Sequence, residues 1–491
     1  MSVTNRRQFI RQISGSALSL TLLSACAKPA KPNILWIISE DTCPDYGCYG
    51  NTIVKTPNVD RLASQGVRFT NAFATSPVCS PVRSGFNTGM YPTSIGAHNH
   101  RTRDKKPLHP PVKVITRFFQ DAGYYTANVT NPAPGVRGTA KQDWNFDPGP
   151  APFNGEDWNE LKSHQPFFAQ VNLQLTHREF VRDPEIPIDP AKVEIPPYYP
   201  DHPITRRDWA DYLESLQVLD REVGKVMDNL DKEGLADNTL VIYFGDHGRP
   251  HVRAKQWLYE GGIHIPLIIR WPGHTKPGSV NDDLVSTIDF APTCMELAGI
   301  TPPDYMQGNV FMGSHKKERD YIFAARDRCD ETVDRIRCVR DKRFKYIRNF
   351  MPERPYMQLN SYKRREYPVF SLLQVLHKQG KLTPAQELFM RDTRPVEELY
   401  DLQNDPWEIH NLADDPTYQD RLVAMRGTLD TWIKETGDQG EIPEPESEHE
   451  FWYKAQMDYD GKGLAERGLS NDSTPEEFVK YWEKSFGLEE K

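Results

Sequence analysis

Cysteine is scarce in this chain: seven in 491 residues, with no CxxC spacing among them. A disulfide-built scaffold is therefore excluded, and no zinc-type ligand pair is offered. Cys43/Cys48 and Cys329/Cys338 lie close enough in sequence to pair, which spacing alone leaves open. Basic charge is short as well, with 60 Lys and Arg against 69 Asp and Glu and a net charge of -9. The chain thus lacks the basic footprint of a nucleic-acid binder, although a local basic pocket for a small anion is compatible with an acidic surface. Beyond residue 30 no apolar run approaches the roughly 20 residues of a membrane-spanning helix. Internal repeats and low-complexity tracts are missing too. Proline is abundant, at 40 residues, against a usual share of about 5%. Such an excess points to long, stiff loops over a compact frame. With 38% hydrophobic and 26% charged residues, the composition is that of a globular protein with ample core.

Residues 1–26 read as an address. Arg6 and Arg7 precede Phe9 and Ile10, and a short, weakly apolar stretch, ISGSALSLTLLSA, leads to Cys26. Charged then apolar is the order of a signal peptide, and the stretch is too short for a stable span. The twin arginine resembles a Tat export signal. LSAC, Leu23 to Cys26, resembles a lipobox, which implies lipidation of Cys26; an ordinary Sec signal is the alternative. The expectation is an exported protein of the periplasm or cell envelope, touching a membrane only through an N-terminal lipid anchor.

NILWIIS (33–39) is an apolar run ending at Glu40-Asp41 and reads as a buried strand; NTLVIYFGDHG (238–248) is another, ending at Asp246-His247. Between and after them, helical patterns at 56–66 and 208–234 alternate with strands at 67–74, 166–176 and 265–273, and residues 115–129 read helix, Gly, strand. This predicts an α/β fold with a mostly parallel central sheet, its site at the carboxyl ends of the strands. From about 320 the pattern turns to short alternating strands, such as 337–349 and 398–406. A catalytic domain is expected over 31–318. A smaller C-terminal α+β subdomain over 319–491 would carry a small antiparallel sheet and a helical tail.

The chemistry centres on PVCSPVRSGFNTGMYP (77–92). Pro81 favours a first helical turn, which places Cys79 at a helix N-terminus, where unpaired N–H groups favour an anion. Arg83, four residues on, shares its face. Cys79 is then either a nucleophile with a fixed cationic partner or a buried structural cysteine. Two acidic groups at one strand end and one at another make an oxygen-rich cluster suited to a hard divalent cation.

The segments around these residues settle the choice by resemblance. NILWIISED, GCYGN, TPNVDRLASQGVRFTNAF, the Cys79 motif, FGDHG, KQWLYEGGIHIPLIIRWPG, KYIRN and ELYDLQNDPWEIHNLA resemble, in this order, the type I sulfatases. EDTCPDYGCYG and AARDRCD look closest to heparan N-sulfatase-like bacterial polysaccharide sulfatases. The resemblance runs from residue 33 to about 412. It implies an alkaline-phosphatase-like sandwich and conversion of Cys79 to formylglycine by a formylglycine-generating enzyme. It also implies a Ca²⁺ ion on Glu40, Asp41, Asp246, His247 and residue 79. The family pairs are usually Asp-Asp and Asp-Asn; Glu40 and His247 depart from them, so another divalent ion such as Mn²⁺ stays open. Lys255 and His177 match the family's active-site lysine and its leaving-group histidine. Lys141 and Asp143 follow an inserted loop where the family has GKxH. His98, His100, Arg253, Asp327 and Arg328, together with Arg249 and His251, lie in loops expected at the rim, where they would read a sugar. The expected reaction is hydrolysis of sulfate esters, with N-sulfate open, on a polysaccharide such as ulvan, carrageenan or a glycosaminoglycan. A phosphodiesterase or phosphonate hydrolase and a non-catalytic glycan-binding lipoprotein are the alternatives.

Overall fold

Strand β1 (Asn33–Ser39) is buried along its whole length, as apolar residues on both faces of a covered central strand require. It pairs in parallel with β4 (Phe167–Leu173) on one side and β5 (Thr239–Gly245) on the other. The computed structural model describes residues 31–489; the expected export signal, with Arg6, Arg7 and Cys26, lies outside them. With β2 (Val67–Phe73), β3 (Tyr125–Val129), β6 (His264–Arg270) and β7 (Ser279–Ser286), these strands form a seven-stranded sheet in the order β3-β4-β1-β5-β6-β2-β7. Only β6 runs against its neighbours β5 and β2, so the sheet is mostly parallel. The sequence pattern did not show β7: its first residues alternate in exposure, as an edge strand does.

Helix α1 (Pro57–Gln65) begins and ends where Thr56 and Gly66 suggest. Helix α2 (Cys79–Thr88) is buried throughout. Its Phe86 packs edge-on against Trp36 of β1 and Phe244 of β5, at centroid distances of 5.8 and 5.4 Å. That contact docks α2 on the middle of the sheet. Helix α3 (Ile115–Asp121) leads into β3. The long helix α4 (Pro203–Lys232) starts five residues before the expected 208, because Pro203 occupies its first turn and His202 Nδ1 accepts from Ile204 N at 3.2 Å.

A second sheet, β11-β10-β9-β8, is antiparallel and built from β8 (Ile322–Arg326), β9 (Ile336–Arg340), β10 (Phe344–Asn349) and β11 (Glu397–Asp401). The change of pattern near 320 falls just before β8. From Pro32 onward both sheets belong to one compact unit. The tail holds helices Glu446–Glu466 and Pro475–Phe486; the pattern showed only the second. Neither close cysteine pair is joined, all six described cysteines being free. Cys43 Sγ instead donates to the Gly261 carbonyl at 3.2 Å.

Candidate active site

The register places Ser39 of β1 opposite Gly245 of β5 and Leu173 of β4. Glu40-Asp41, Asp246-His247 and the segment holding His177 therefore leave the sheet at one level, from three adjacent strand ends. Helix α2, docked through Phe86, brings Cys79 to the same level at its first residue. Ligand atoms of Asp41, Cys79, Asp246 and His247 all lie within 4.8 Å of one another, and all four residues are buried. Asp41 holds a positive φ of 56°, a strained conformation of the kind that collects at functional sites. The Asp246 carboxylate fixes that turn by accepting from the backbone N–H groups of Asp41 and His247, both at 2.9 Å.

Each acid has a cationic partner. Arg83 donates to Asp246 Oδ2 at 2.9 Å and to Asn172 Oδ1 at 2.7 Å, and stands 3.5 Å from Glu40 Oε1. Lys255 Nζ donates to Asp41 Oδ2 and Lys141 Nζ to Glu40 Oε2, both at 2.7 Å. Burial opposes ionisation of Asp246, but His247, Arg83 and Lys141 outweigh it and hold the carboxyl well below the usual carboxylate range. Burial would likewise raise the Cys79 thiol; the charges of Lys141, Lys255 and His247 reverse this and lower it. At His247 burial disfavours the charge, yet Asp246, Cys79 and Asp41 push the imidazole up to about 9. Its Nδ1 donates to the Gly248 carbonyl at 3.0 Å, which leaves Nε2 toward Cys79 Sγ (3.2 Å) and Asp41 Oδ1 (3.2 Å). Surroundings that retain a proton on Nε2 would equally retain a cation in its place.

The donor set fits a hard divalent ion. Asp41 Oδ1 and Glu40 Oε1 are buried carboxylate oxygens with no hydrogen-bond partner, a costly state that a cation relieves. Glu40 is outside the four-residue cluster, since Lys141 takes its other oxygen.

A cavity of about 520 Å³ opens over Cys79, lined also by Arg101, His177, Lys255 and Tyr362, with Trp452 on its far wall. His177 Nδ1 bonds the Arg178 carbonyl at 2.8 Å, leaving its other nitrogen free for the site. A larger open groove of about 1510 Å³ adjoins the cavity and shares His177, Arg178 and Glu179 with it. Of the five residues expected to read a sugar, His100 alone lines the cavity. Arg253 is buried and donates to the carbonyls of Trp407 and Glu408, with Tyr198 and Tyr259 against its guanidinium. Asp327 accepts from Arg337 at 3.1 Å, and His98 is buried with Asp327 and Arg337 acting on it. Arg328 pairs with Glu444 and with backbone carbonyls. Loop position suggested a rim; internal pairing of these charges buries them away from the cavity instead. His251 is likewise buried, beside Trp209, and Arg249 is half-buried beside Asp45. Asp143, where the family has histidine, is held in a two-pronged pair by Arg101 at 3.1 and 3.0 Å.

The sulfatase family model matches residues 32–147 and 154–300. The chain belongs to the sulfatase family, and is by that membership a sulfuric ester hydrolase. A second model, N-sulphoglucosamine sulphohydrolase C-terminal, matches residues 245–369. An ulvan-active sulfatase of Formosa agariphila is 36% identical over 480 residues, covering 86% of this chain and 78% of that protein. The solved structure of a 2-O GAG sulfatase matches with TM-score 0.62 at 20% identity, covering 84% of this chain and 94% of that one. The phosphonate monoester hydrolase of Agrobacterium radiobacter matches with TM-score 0.61 at 19% identity, covering 82% and 96%. Those two structures establish the expected alkaline-phosphatase-like fold; the family is established by sequence.

Lys255 and His247 are set by a close approach of two backbones. Gly248 N donates to the Gly262 carbonyl at 2.9 Å and Arg249 N to the Gly261 carbonyl at 3.1 Å. A Cβ on Gly248 would lie 2.0 Å from the Gly261 oxygen, so Gly248→Ala must push the two segments apart. We expect that variant to lose about 100-fold in kcat, measured on any turned-over sulfate ester. Activity within twofold of wild type would show that the approach is not needed. Asn172, which orients Arg83, and Asn128, which donates nothing to it but accepts from Asn172 Nδ2 at 3.0 Å, escaped the sequence reading. A buried asparagine near the carboxyl end of each strand was the signal.

Proposed function

We propose that this is an exported sulfatase that hydrolyses sulfate esters of a sulfated polysaccharide or its oligosaccharides, with Cys79 converted to formylglycine. The observation that carries the reading is Cys79 at the first position of a buried helix, among Asp41, Asp246 and His247, under a cavity walled by basic side chains. Asp41, Asp246 and His247, with Glu40 beside them, would hold Ca²⁺ or another divalent ion, which would polarise the sulfate oxygens. A hydrated formylglycine at position 79 would supply the nucleophilic hydroxyl. Arg83 and Lys141 hold Asp246 and Glu40 in place. Lys255 and His177 reach the cavity, Lys255 as a fixed charge for a sulfuryl oxygen and His177 as the proton donor for the leaving oxygen. The Formosa relative's activity on ulvan supports an algal polymer as substrate, and the N-terminal twin arginine and Cys26 support export to the envelope with a lipid anchor.

The test is sulfate released from ulvan, carrageenan and heparan oligosaccharides by protein co-expressed with a formylglycine-generating enzyme. Mass analysis of the peptide around Cys79 would run alongside. Release from one of these, lost on chelation and restored by Ca²⁺, is expected. Confirmed formylglycine with hydrolysis of phosphonate esters and none of sulfate esters would overturn the reading.

A further inference from the structure

Three residues that line the cavity over Cys79 each carry a buried polar atom with no partner in the protein: His100 Nε2, Tyr362 Oη and Trp452 Nε1. Buried polar groups are nearly always paired, and leaving one unpaired costs about 1–3 kcal/mol. Three such atoms on residues that line one cavity call for a ligand that carries hydrogen-bonding groups of its own. Their chemistry is mixed. Indole N–H only donates, a phenol does both, and His100 donates Nδ1–H to Asp330 Oδ1 at 2.9 Å, which leaves Nε2 to accept. Burial also holds the His100 imidazole below its ordinary value, in keeping with a neutral ring. A bare anion would want donors alone, whereas a ring bearing several hydroxyls satisfies both kinds.

The three groups come from distant parts of the chain, and His100 is held firmly in place. Arg328 Nη1 donates to the carbonyls of both His100 and Asp330, at 3.0 and 2.8 Å, and the Arg328 carbonyl accepts from His100 N at 2.9 Å. Arg328 therefore staples the His100–Asp330 pair and acts as a positioning residue. Tyr362 opens the helix Ser361–Glu366 and stands over Lys255, whose Nζ is 5.5 Å from its ring. Trp452 lies on the helix Glu446–Glu466, which presents Trp452, Ala455, Gln456 and Tyr459 to the cavity. That spacing is one helical face. This helix lies beyond the residues matched by either family model.

Resting on the sulfatase reading, we propose that His100, Tyr362 and Trp452 recognise the sugar ring that carries the sulfate, through its hydroxyl groups, and so set substrate choice.

Tyr362→Phe removes one polar atom and breaks no hydrogen bond within the protein, so its thermal stability should equal or exceed that of wild type. Trp452→Phe also trims an indole that packs on the Arg328 guanidinium, 5.3 Å from its ring, so a modest loss of stability is expected there. The readout is the ratio of kcat/KM on ulvan oligosaccharide to kcat/KM on 4-nitrophenyl sulfate, which has no hydroxyls. Each variant should lower this ratio about tenfold, chiefly through KM, and His100→Ala should lower it at least as far. Should His100→Ala fail to fold once Asp330 is unpaired, the two Phe variants still decide. Ratios within twofold of wild type for both would overturn the proposal. Wild-type turnover of the aryl sulfate without any of ulvan, carrageenan or heparan oligosaccharides would overturn it too, while leaving the sulfatase reading standing. Turnover of neither kind of sulfate ester by formylglycine-bearing protein would remove both.

Discussion

Cys79→Ala is expected to reduce sulfate release by about 10⁴-fold or more while leaving the fold intact. The size follows from deleting a nucleophile, for which the remaining positioning and electrostatic groups compensate only in small part. The intact fold follows from the contacts: Cys79 Sγ has one polar partner, His247 Nε2 at 3.2 Å, and alanine suits the first turn of a helix. A melting curve and a sulfate assay on the same preparation check both halves. If Cys79 were only a buried structural cysteine, the variant would keep activity within about tenfold, and the nucleophile assignment would fall. Cys79→Ser separates the oxygen from the modification. Serine offers a hydroxyl at the same place, and loss of activity there would show that a hydroxyl alone is insufficient.

Arg83→Leu is the second large effect, and here stability moves together with activity. The guanidinium is buried, on Asp246, Asn172 and the edge of Glu40. Removing one partner of a buried ion pair leaves a desolvated charge and costs about 3–5 kcal/mol. The burden falls on Asp246, whose carboxylate also accepts the two backbone N–H groups that fix the turn at Asp41 and His247. The variant should therefore unfold at lower denaturant and lose the cluster's geometry and its activity. Arg83→Lys should recover only part, because one ammonium cannot reach both Asp246 and Asn172 in the geometry of a planar fork. An unfolding midpoint equal to that of wild type would show that the pair contributes no net stability.

How much of this was legible beforehand differs from residue to residue. Asp41, Asp246 and His247 were readable because a fully apolar strand that ends on an acid is rare and cheap to spot. Cys79 and Arg83 were readable because Pro81 marks a helix start and four residues make one face. The rim was not. Arg253, Asp327 and Arg328 look like free charges in loops, and only the folded chain shows that each is buried with a partner, from Glu408 to Arg337 to Glu444. The far wall of the cavity was missed because the helix Glu446–Glu466 carries Gly461 and Gly463 and has no broad apolar face, with only Glu448, Asp460 and Leu464 buried. Its anchors are charged instead: Arg365 on Asp460 at 2.8 Å and Arg103 on Glu448 at 2.7 Å. Charge pairs between distant segments leave no periodicity to read.

By itself, then, the sequence determined the parallel sheet, the strand ends that carry the acids and the helix that begins at Cys79. Each of these depends on local pattern, on a period of two or of 3.6 and on the fixed φ of proline. Tertiary structure alone decided which cations neutralise which acids, and which loop charges are buried in internal pairs. It also decided that a helix more than 350 residues after Cys79 closes the cavity above it. Those choices rest on contacts between segments far apart in the chain, whose partners are set by packing and by the cost of leaving a buried charge or polar atom alone.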